Sequence, residues 1–281
     1  DYVSLACQSV QNLHPYVPGK PIEELKRDLG LSDIVKLASN ENPLGLSEKV
    51  VQAIQSVLKE GARYPDGNGY LLKKALIDFY ASKNQNFDLS QITLGNGSND
   101  VLELVARAFV NKSDEVIFSE YAFAVYSIVT QAIGAKAIEI PAKSWGHDLS
   151  AMSEAVTAKT KLIFLANPNN PTGTAFEKSE LIHFLDRVPS KVLVVLDEAY
   201  GEYIKDDSFP DGLSLLSSYP NLIVTRTFSK AWGLASMRVG YALSNSVIAD
   251  MLNRVRQPFN VNLFALVSAA SVLNDDKYLE K

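Results

Sequence analysis

Between residues 91 and 243, short apolar runs alternate with stretches in which apolar residues recur every three or four positions. Runs rich in β-branched residues predict strands, and the stretches with helical spacing predict helices between most of them. We expect strands at 91–95, 115–119, 136–140, 161–166, 191–197, 222–227 and 238–243, and helices at 99–110, 122–133, 150–157 and 177–187. This alternation is typical of βαβ units around a mostly parallel sheet.

The flanking segments follow other patterns. The first 45 residues are irregular and proline-rich, and one short helix is expected there, near 21–29. A helix is expected at 47–61, with Ser47 as its N-cap and Gly61 as its stop signal. Further helices are expected at 71–84, 245–256 and 261–273.

Composition narrows the class of protein. The chain has 281 residues and a net charge of −5, and it contains no dense run of Lys or Arg that would indicate a nucleic-acid surface. Its apolar runs are too short to cross a bilayer, and its first residues lack the pattern of a secretory signal. The single Cys7 fits a reducing compartment, and one cysteine with three scattered histidines argues against a Cys/His metal site. We therefore expect a cytoplasmic protein with no metal, membrane or nucleic-acid partner.

Polar motifs follow several predicted strands, at the positions where parallel sheets bind ligands. GNGSND (95–100) leads into a helix whose free N–H groups suit a phosphate, although a plain capped turn explains it equally well. NPNNPTGT (167–174) is a stiff loop. Its asparagine amides could donate to a ligand oxygen, or the loop could be a rigid connection only.

Two further motifs carry charged residues. Asp197 ends an apolar run, where a buried carboxylate needs a partner: a basic side chain, a helix N-terminus, or a cationic ring nitrogen with Tyr200 nearby. Small and apolar residues follow Lys230, and a desolvated lysine has a lowered pKa and becomes nucleophilic. Arg238 suits either a structural role or a phosphate. Together these residues match the needs of pyridoxal phosphate: a lysine, an acidic partner for the ring nitrogen, and phosphate ligands.

NPNNPTGT, LDEAYGEY and TRTFSKAWGLASMRVGYA resemble motifs of the pyridoxal-phosphate aminotransferases of fold type I. NLHPYVPGKPIEEL, LASNENPLG and RYPDGNGYLLKKAL are similar to those of the histidinol-phosphate aminotransferases, and the resemblance covers nearly the whole chain. It implies a three-layer αβα large domain with a mostly parallel sheet at 46–260, an N-terminal arm at 1–45 that belongs to a small domain or lid, and the start of a C-terminal small domain at 261–281.

The resemblance also implies roles for individual residues. Lys230 would bind the cofactor aldehyde and move the substrate proton, Asp197 would keep the ring nitrogen protonated, and Asn170 and Tyr200 would donate to the phenolic oxygen. Of the aromatic residues Tyr121, Phe123 and Tyr126, Phe123 aligns best with the position that stacks on the ring. The phosphate ligands would be Ser98, Asn99, Thr227, Ser229, Arg238 and Tyr64 of the partner subunit, and the substrate would meet Tyr16 and Asn40.

The activity that the resemblance implies belongs to histidine biosynthesis. A homodimer would transfer the amino group of L-histidinol phosphate to 2-oxoglutarate, giving imidazole acetol phosphate and L-glutamate. An aromatic amino-acid aminotransferase, a phosphothreonine-type decarboxylase and, more remotely, a non-catalytic regulator of the same fold are alternatives. The chain ends at DDKYLEK, before the family's C-terminal substrate-binding arginines, so we expect a 281-residue product to bind the cofactor yet turn over slowly.

Overall fold

A seven-stranded sheet forms the centre of the molecule, in the strand order β1-β7-β6-β5-β4-β2-β3. The structure is a computed structural model that describes residues 2–281, apart from the side chain of Asp276. The strands are β1 (Ile92–Gly95), β2 (Glu115–Ser119), β3 (Lys136–Ile140), β4 (Thr160–Ala166), β5 (Leu193–Asp197), β6 (Leu222–Thr227) and β7 (Gly240–Ser244). Strand β7 runs antiparallel to its neighbours β1 and β6, and the other pairs are parallel. The expected mostly parallel sheet is confirmed.

Apart from two four-residue helices, one near each end of the chain, the α-helices lie where the sequence pattern predicts them, with ends that differ by a few residues. The α-helices are α1 (Gln8–Gln11), α2 (Ile22–Leu29), α3 (Glu48–Val57), α4 (Tyr70–Ala81), α5 (Ser98–Phe109), α6 (Ala124–Ile133), α7 (Leu149–Glu154), α8 (Lys178–Arg187), α9 (Ser246–Val255), α10 (Leu263–Val272) and α11 (Asp276–Leu279). Short 3₁₀ turns include Tyr2–Leu5, Ala38–Asn40, Leu58–Glu60, Leu89–Gln91, Gly201–Tyr203, Gly212–Leu215 and Ala235–Met237. Ser47 caps α3 as expected, because its Oγ accepts a hydrogen bond from the Lys49 N–H at 3.2 Å.

Helices cover both faces of the sheet and give the three-layer αβα architecture that was expected. Strand β4 shows the arrangement, because successive side chains of a strand point to opposite faces. Leu162 and Phe164 are buried in one core cluster, with α5, α6 and α9. Ile163 and Leu165 are buried in the other, with α4, α8 and α10. Burial on both faces explains the nearly continuous apolar runs of the central strands.

The parallel strands end at one edge of the sheet and bring the sequence motifs together there. Ala166 at the end of β4 pairs with Asp197 at the end of β5, and Asp197 pairs with Thr225 on β6. Helix α5 begins at Ser98, just after β1. The loops that follow these strands therefore surround a common space.

The N-terminal arm contains one helix that the sequence pattern did not predict. Helix α2 lies where the helix near 21–29 was expected, but α1 forms as well. The Ser9 hydroxyl of α1 donates a hydrogen bond to the Ala132 carbonyl of α6 at 3.1 Å. A helix of four residues is too short to show periodicity, and a helix this short is unstable in isolation, so tertiary contacts such as this one contribute to its formation.

The structure also bears on membranes and metals. No helix in the described part of the chain combines the length and apolar character needed to cross a membrane. Among the same residues, no group of three or more His, Cys, Asp or Glu side chains is arranged to hold a metal ion. Cys7 is an exposed free thiol.

Candidate active site

A cavity of about 490 Å³ opens at the carboxyl edge of the sheet. All the site residues predicted from the sequence except Tyr64 line it: Tyr16, Asn40, Ser98, Asn99, Phe123, Asn170, Asp197, Tyr200, Thr227, Ser229, Lys230 and Arg238. A cleft of this size can bury a ligand as large as a typical small-molecule cofactor.

Asp197 is the buried carboxylate of the cavity, with 5% of its surface exposed. The Tyr126 hydroxyl donates to its Oδ2 at 2.8 Å, and the Thr225 hydroxyl donates to its Oδ1 at 3.1 Å. Burial raises the pKa of Asp197, and these hydrogen bonds together with one from the Ala199 N–H oppose the rise. No basic side chain among the described residues pairs with it, so the ion-pair interpretation is wrong. A cation in the cavity would supply the positive charge that is missing beside this carboxylate.

Lys230 lies across the cavity beside Tyr200. Its Nζ donates to the Ser39 carbonyl at 2.9 Å and lies 5.7 Å from the centroid of the Tyr200 ring. Burial lowers the pKa of Lys230, the nearby Arg238 lowers it further, and Glu41 opposes this. A larger fraction of the amine is therefore neutral at a given pH than in an ordinary lysine, which favours attack on a carbonyl carbon.

The start of α5 forms the anion-binding part of the cavity. Gly97 is the N-cap residue, with φ of 82°, and no side chain caps the helix. The guanidinium of Arg238 lies directly against Gly97, where a Cβ would overlap it. Arg238 Nη1 also donates to the Ser229 hydroxyl at 3.3 Å and to the Ala235 carbonyl at 3.0 Å. Free helix N–H groups, an arginine and a hydroxyl together form a positively charged site that suits an anion such as a phosphate.

The 167–174 loop fits both interpretations of its sequence. Asn167 and Asn169 are buried and serve the loop itself. Asn167 Nδ2 donates to the Phe176 carbonyl at 3.3 Å, and Asn169 Nδ2 donates to the Thr172 hydroxyl at 2.8 Å. Asn170 is the asparagine of this loop that lines the cavity.

The N-terminal arm supplies part of the cavity wall. Ser39 and Asn40 have positive φ, of 70° and 50°. Asn40 Nδ2 donates to the Tyr200 hydroxyl at 2.9 Å, and Asn42 Nδ2 donates to the Ala231 carbonyl at 2.9 Å. The arm is thus attached to the segments on both sides, those that carry Tyr200 and Lys230.

Comparison with known proteins agrees with this geometry. Residues 32–281 match the model of the family described as aminotransferase class I and II. The chain is 58% identical over 281 residues to "Histidinol-phosphate aminotransferase 2" of Pseudomonas fluorescens and 57% identical to the protein of that name in Pseudomonas aeruginosa, covering 99% of this chain and 75% of each relative. The chain belongs to the aminotransferase class I and II family.

A solved structure extends the likeness from sequence to fold. The histidinol-phosphate aminotransferase of Sinorhizobium meliloti, in complex with pyridoxal-5'-phosphate, superposes with a TM-score of 0.89 at 29% identity, covering 99% of this chain and 73% of that one. This aminotransferase chain therefore has the fold type I architecture that its motifs indicated.

Sequence reasoning missed the two hydroxyl groups that bind Asp197 in this aminotransferase. Tyr126 stood out in the sequence only as an aromatic neighbour of Phe123, and Thr225 only as one of the hydroxyl residues before Lys230, which were expected near the cofactor phosphate rather than at Asp197. Thr225 lies two residues before Thr227 on strand β6, so the two side chains point to the same face of the sheet. That spacing would have identified Thr225, whereas Tyr126 required knowledge of where α6 lies relative to the end of β5.

Tyr64 lies outside the aminotransferase cavity of its own chain. It is 82% exposed, and its ring stacks on Phe259 with 4.6 Å between the ring centroids. The expectation that it contacts the cofactor of a partner subunit stays a prediction. A second cavity, of about 440 Å³, lies beside α7 and α8 and contains none of the predicted site residues.

Proposed function

We propose that this aminotransferase binds pyridoxal 5'-phosphate in the cavity and transfers the amino group of L-histidinol phosphate to 2-oxoglutarate, in histidine biosynthesis. The products would be imidazole acetol phosphate and L-glutamate. The observation that carries the proposal is one cavity in which Lys230, Asp197 and the α5 N-terminus with Arg238 come together. The names of the Pseudomonas relatives support the choice of substrate.

The residues present fit the chemical groups of this cofactor. Its phosphate matches the positive site formed by the α5 N-terminus and Arg238. Its aldehyde matches an amine whose pKa is lowered by burial, at Lys230. Its ring nitrogen, when protonated, is a positively charged partner for the buried Asp197 carboxylate, which has no basic side chain beside it among the described residues. When bound, the cofactor supplies an electron-accepting ring for amino-group chemistry.

The side chains that line the cavity have three kinds of role: they bind the cofactor and substrate, orient the ring, and transfer protons. Lys230 Nζ takes the proton from the substrate Cα, Asp197 holds the proton on the ring nitrogen, and Tyr200 and Asn170 donate to the ring oxygen. The remaining residues bind the ring, the phosphate or the substrate: Phe123 covers the ring, Ser98, Asn99, Thr227, Ser229 and Arg238 hold the phosphate, and Tyr16 and Asn40 face the substrate.

The proposal includes a cytoplasmic homodimer with shared sites. Residues 46–260 would form the large cofactor-binding domain, and residues 1–45 and 261–281 would belong to the smaller one. Tyr64 of the partner subunit would reach the cofactor phosphate. Its exposure is consistent with a position at an interface.

The direct test is absorbance after incubation with pyridoxal phosphate. Covalent attachment to the lysine should give a visible band, and Lys230→Ala should abolish it. Lys143→Ala, which replaces an exposed lysine outside this cavity, should leave the band unchanged. A chain that gives no band would contradict the cofactor assignment.

Substrate choice needs a separate measurement. We expect kcat/KM on the full-length protein to be higher for histidinol phosphate than for phenylalanine, because the proposed donor carries a phosphate. A wide preference for phenylalanine would replace histidinol phosphate by an aromatic amino acid and leave the cofactor assignment intact.

A further inference from the structure

Tyr200 and Lys230 line the same cavity but belong to two separate loops, and each is followed two positions later by a second notable residue. Tyr200 is followed by Glu202, and Lys230 is followed by Trp232. Trp232 Nε1 donates a hydrogen bond to Glu202 Oε1 at 3.2 Å. This bond joins the Tyr200 loop to the Lys230 loop behind the cavity, since neither Glu202 nor Trp232 lines it.

A backbone hydrogen bond closes each of these two loops into a turn, so a shift of the second residue is transmitted to the first. The Tyr203 N–H donates to the Tyr200 carbonyl at 3.1 Å, on either side of Glu202 in the sequence. The Gly233 N–H donates to the Lys230 carbonyl at 3.0 Å, in a turn that contains Trp232. The bond between Glu202 and the indole therefore connects two short, internally closed turns.

The surroundings of this bond are tightly packed. Trp232 is 3% exposed, and its ring contacts Phe79 and Phe228 at centroid distances of 5.7 and 6.0 Å. Glu202 Oε2 is sealed from solvent and has no hydrogen-bond partner among the described residues. Burial raises the pKa of Glu202, and Arg226 opposes the rise. A buried carboxylate with one unbonded oxygen costs folding free energy. The Trp232 indole N–H is the side-chain donor that stabilises its other oxygen.

We propose that Glu202 is a positioning residue that fixes the Tyr200 hydroxyl relative to Lys230 Nζ by binding the Trp232 indole. The inference rests on the proposed function, because it concerns how Tyr200 donates to the oxygen of a cofactor held by Lys230. A donor on that oxygen competes with the protonated lysine nitrogen for its lone pairs. Loosening Tyr200 therefore raises the pH at which the bound lysine nitrogen loses its proton.

The test compares two variants that remove the bond with one that retains it. Glu202→Met removes the acceptor, Trp232→Phe removes the donor, and Glu202→Gln keeps an acceptor oxygen. The readout is the pH midpoint of the visible band of the cofactor-bound protein. We expect the first two variants to raise the midpoint by about half a pH unit or more, and Glu202→Gln to stay near the unsubstituted protein. In a Tyr200→Phe background, Trp232→Phe should add no further shift.

A second readout uses the cofactor-free protein. The chain has two tryptophans, and the exposed Trp145 can be assigned by Trp145→Phe. The other indole N–H resonance should move on Glu202→Met and return towards its original position in Glu202→Gln. An unmoved resonance would show that the hydrogen bond is absent in solution, and the proposal would be wrong.

Phe79→Leu is the matched control, because it disturbs the packing of Trp232 without removing its N–H. It should lower the unfolding temperature and leave the pH midpoint unchanged. A midpoint that moves as far in Phe79→Leu as in Trp232→Phe, or that moves in neither Glu202→Met nor Trp232→Phe, overturns the positioning role. Absence of a visible band in the unsubstituted protein would instead remove the proposed function, and this inference with it.

Discussion

At the scale of a single residue, Asp197 is a buried carboxylate whose described side-chain partners are hydroxyl groups. Tyr126 and Thr225 each donate to one of its oxygens, at 2.8 and 3.1 Å. Hydroxyl donors stabilise a carboxylate without neutralising it, so the side chain still favours a positive charge in front of it. A proton on the ring nitrogen of the cofactor would provide that charge.

Asp197→Asn should retain the fold and lose most of the activity. The amide has nearly the same shape, but it carries no charge to keep a ring nitrogen protonated. We expect kcat to fall by about 10²-fold or more, with little change in unfolding temperature. Tyr126→Phe is the graded comparison, because it removes one donor and keeps the carboxylate, and its loss of rate should be smaller. Near-normal kcat for Asp197→Asn would refute the role of Asp197.

Lys230 gives a pH dependence that can be measured without turnover. Burial lowers its pKa, with a smaller contribution from Arg238. The rate constant for binding pyridoxal phosphate should therefore rise with pH to a midpoint below 10.5, the pKa of an ordinary lysine. Arg238→Gln should move that midpoint upwards, because one of the two causes is lost. A midpoint at the position of an ordinary lysine would contradict this environment.

The lowered pKa of Lys230 also determines how its contribution to the free energy of unfolding changes with pH. Because the folded-state pKa of Lys230 is lowered, the native chain binds fewer protons than the unfolded chain between the two pKa values. The contribution of this group to the free energy of unfolding therefore increases as pH rises through that window.

At the scale of elements, alternation of apolar runs predicted the strands and most helices around a mostly parallel sheet, and the family resemblance implied the three layers that bury both faces of that sheet. The pattern could also place polar motifs at one edge. It could not reveal which neighbours face one another behind that edge. Arg226 Nε and Nη2 donate to Glu198 Oε2, and Arg226 Nη2 also donates to Asp211. Because side chains alternate along a strand, Glu198 and Arg226 point to the face of the sheet that Asp197 and Thr225 do not use. That Glu198 and Arg226 form an ion pair depends on β5 and β6 being neighbours, which the pattern does not reveal.

The start of α5 gives a prediction at this scale. Gly97 has φ of 82° and lies against the Arg238 guanidinium. Gly97→Ala should displace the arginine and raise the Kd for pyridoxal phosphate by about 10-fold or more, because a charged hydrogen bond to the phosphate is weakened. It should also lower the unfolding temperature, since the backbone angles suit glycine.

Gly134→Ala separates these two effects. Gly134 also has positive φ, of 83°, where it ends α6 outside the cavity. Gly134→Ala should lower the unfolding temperature without changing the Kd for pyridoxal phosphate. Equal Kd values for the two alanine variants would show that the position of Arg238 does not depend on Gly97.

At the scale of the whole molecule, several apolar side chains are exposed on the surface of one chain. Val17, Val35 and Leu37 of the N-terminal arm are each more than four-fifths exposed, and so is Tyr64. Phe259, which stacks on Tyr64, is 43% exposed. In the proposed homodimer these side chains would lie at or near the interface. The proposed homodimer would bury Tyr64 beside the partner's cavity.

Mixing two defective chains tests whether the sites are shared. Lys230→Ala lacks the lysine, and Tyr64→Phe lacks the phosphate donor that its partner would use, so each homodimer should retain cofactor poorly. In a mixed dimer, one site combines both defects and the other combines an intact Lys230 with an intact Tyr64 of the partner subunit. Random exchange of equal amounts should restore about a quarter of all sites to normal cofactor retention, in particles of twice the 30.8 kDa chain mass. A protein that sediments as a monomer, or mixtures that retain no more cofactor than the average of the separate variants, would exclude a shared site.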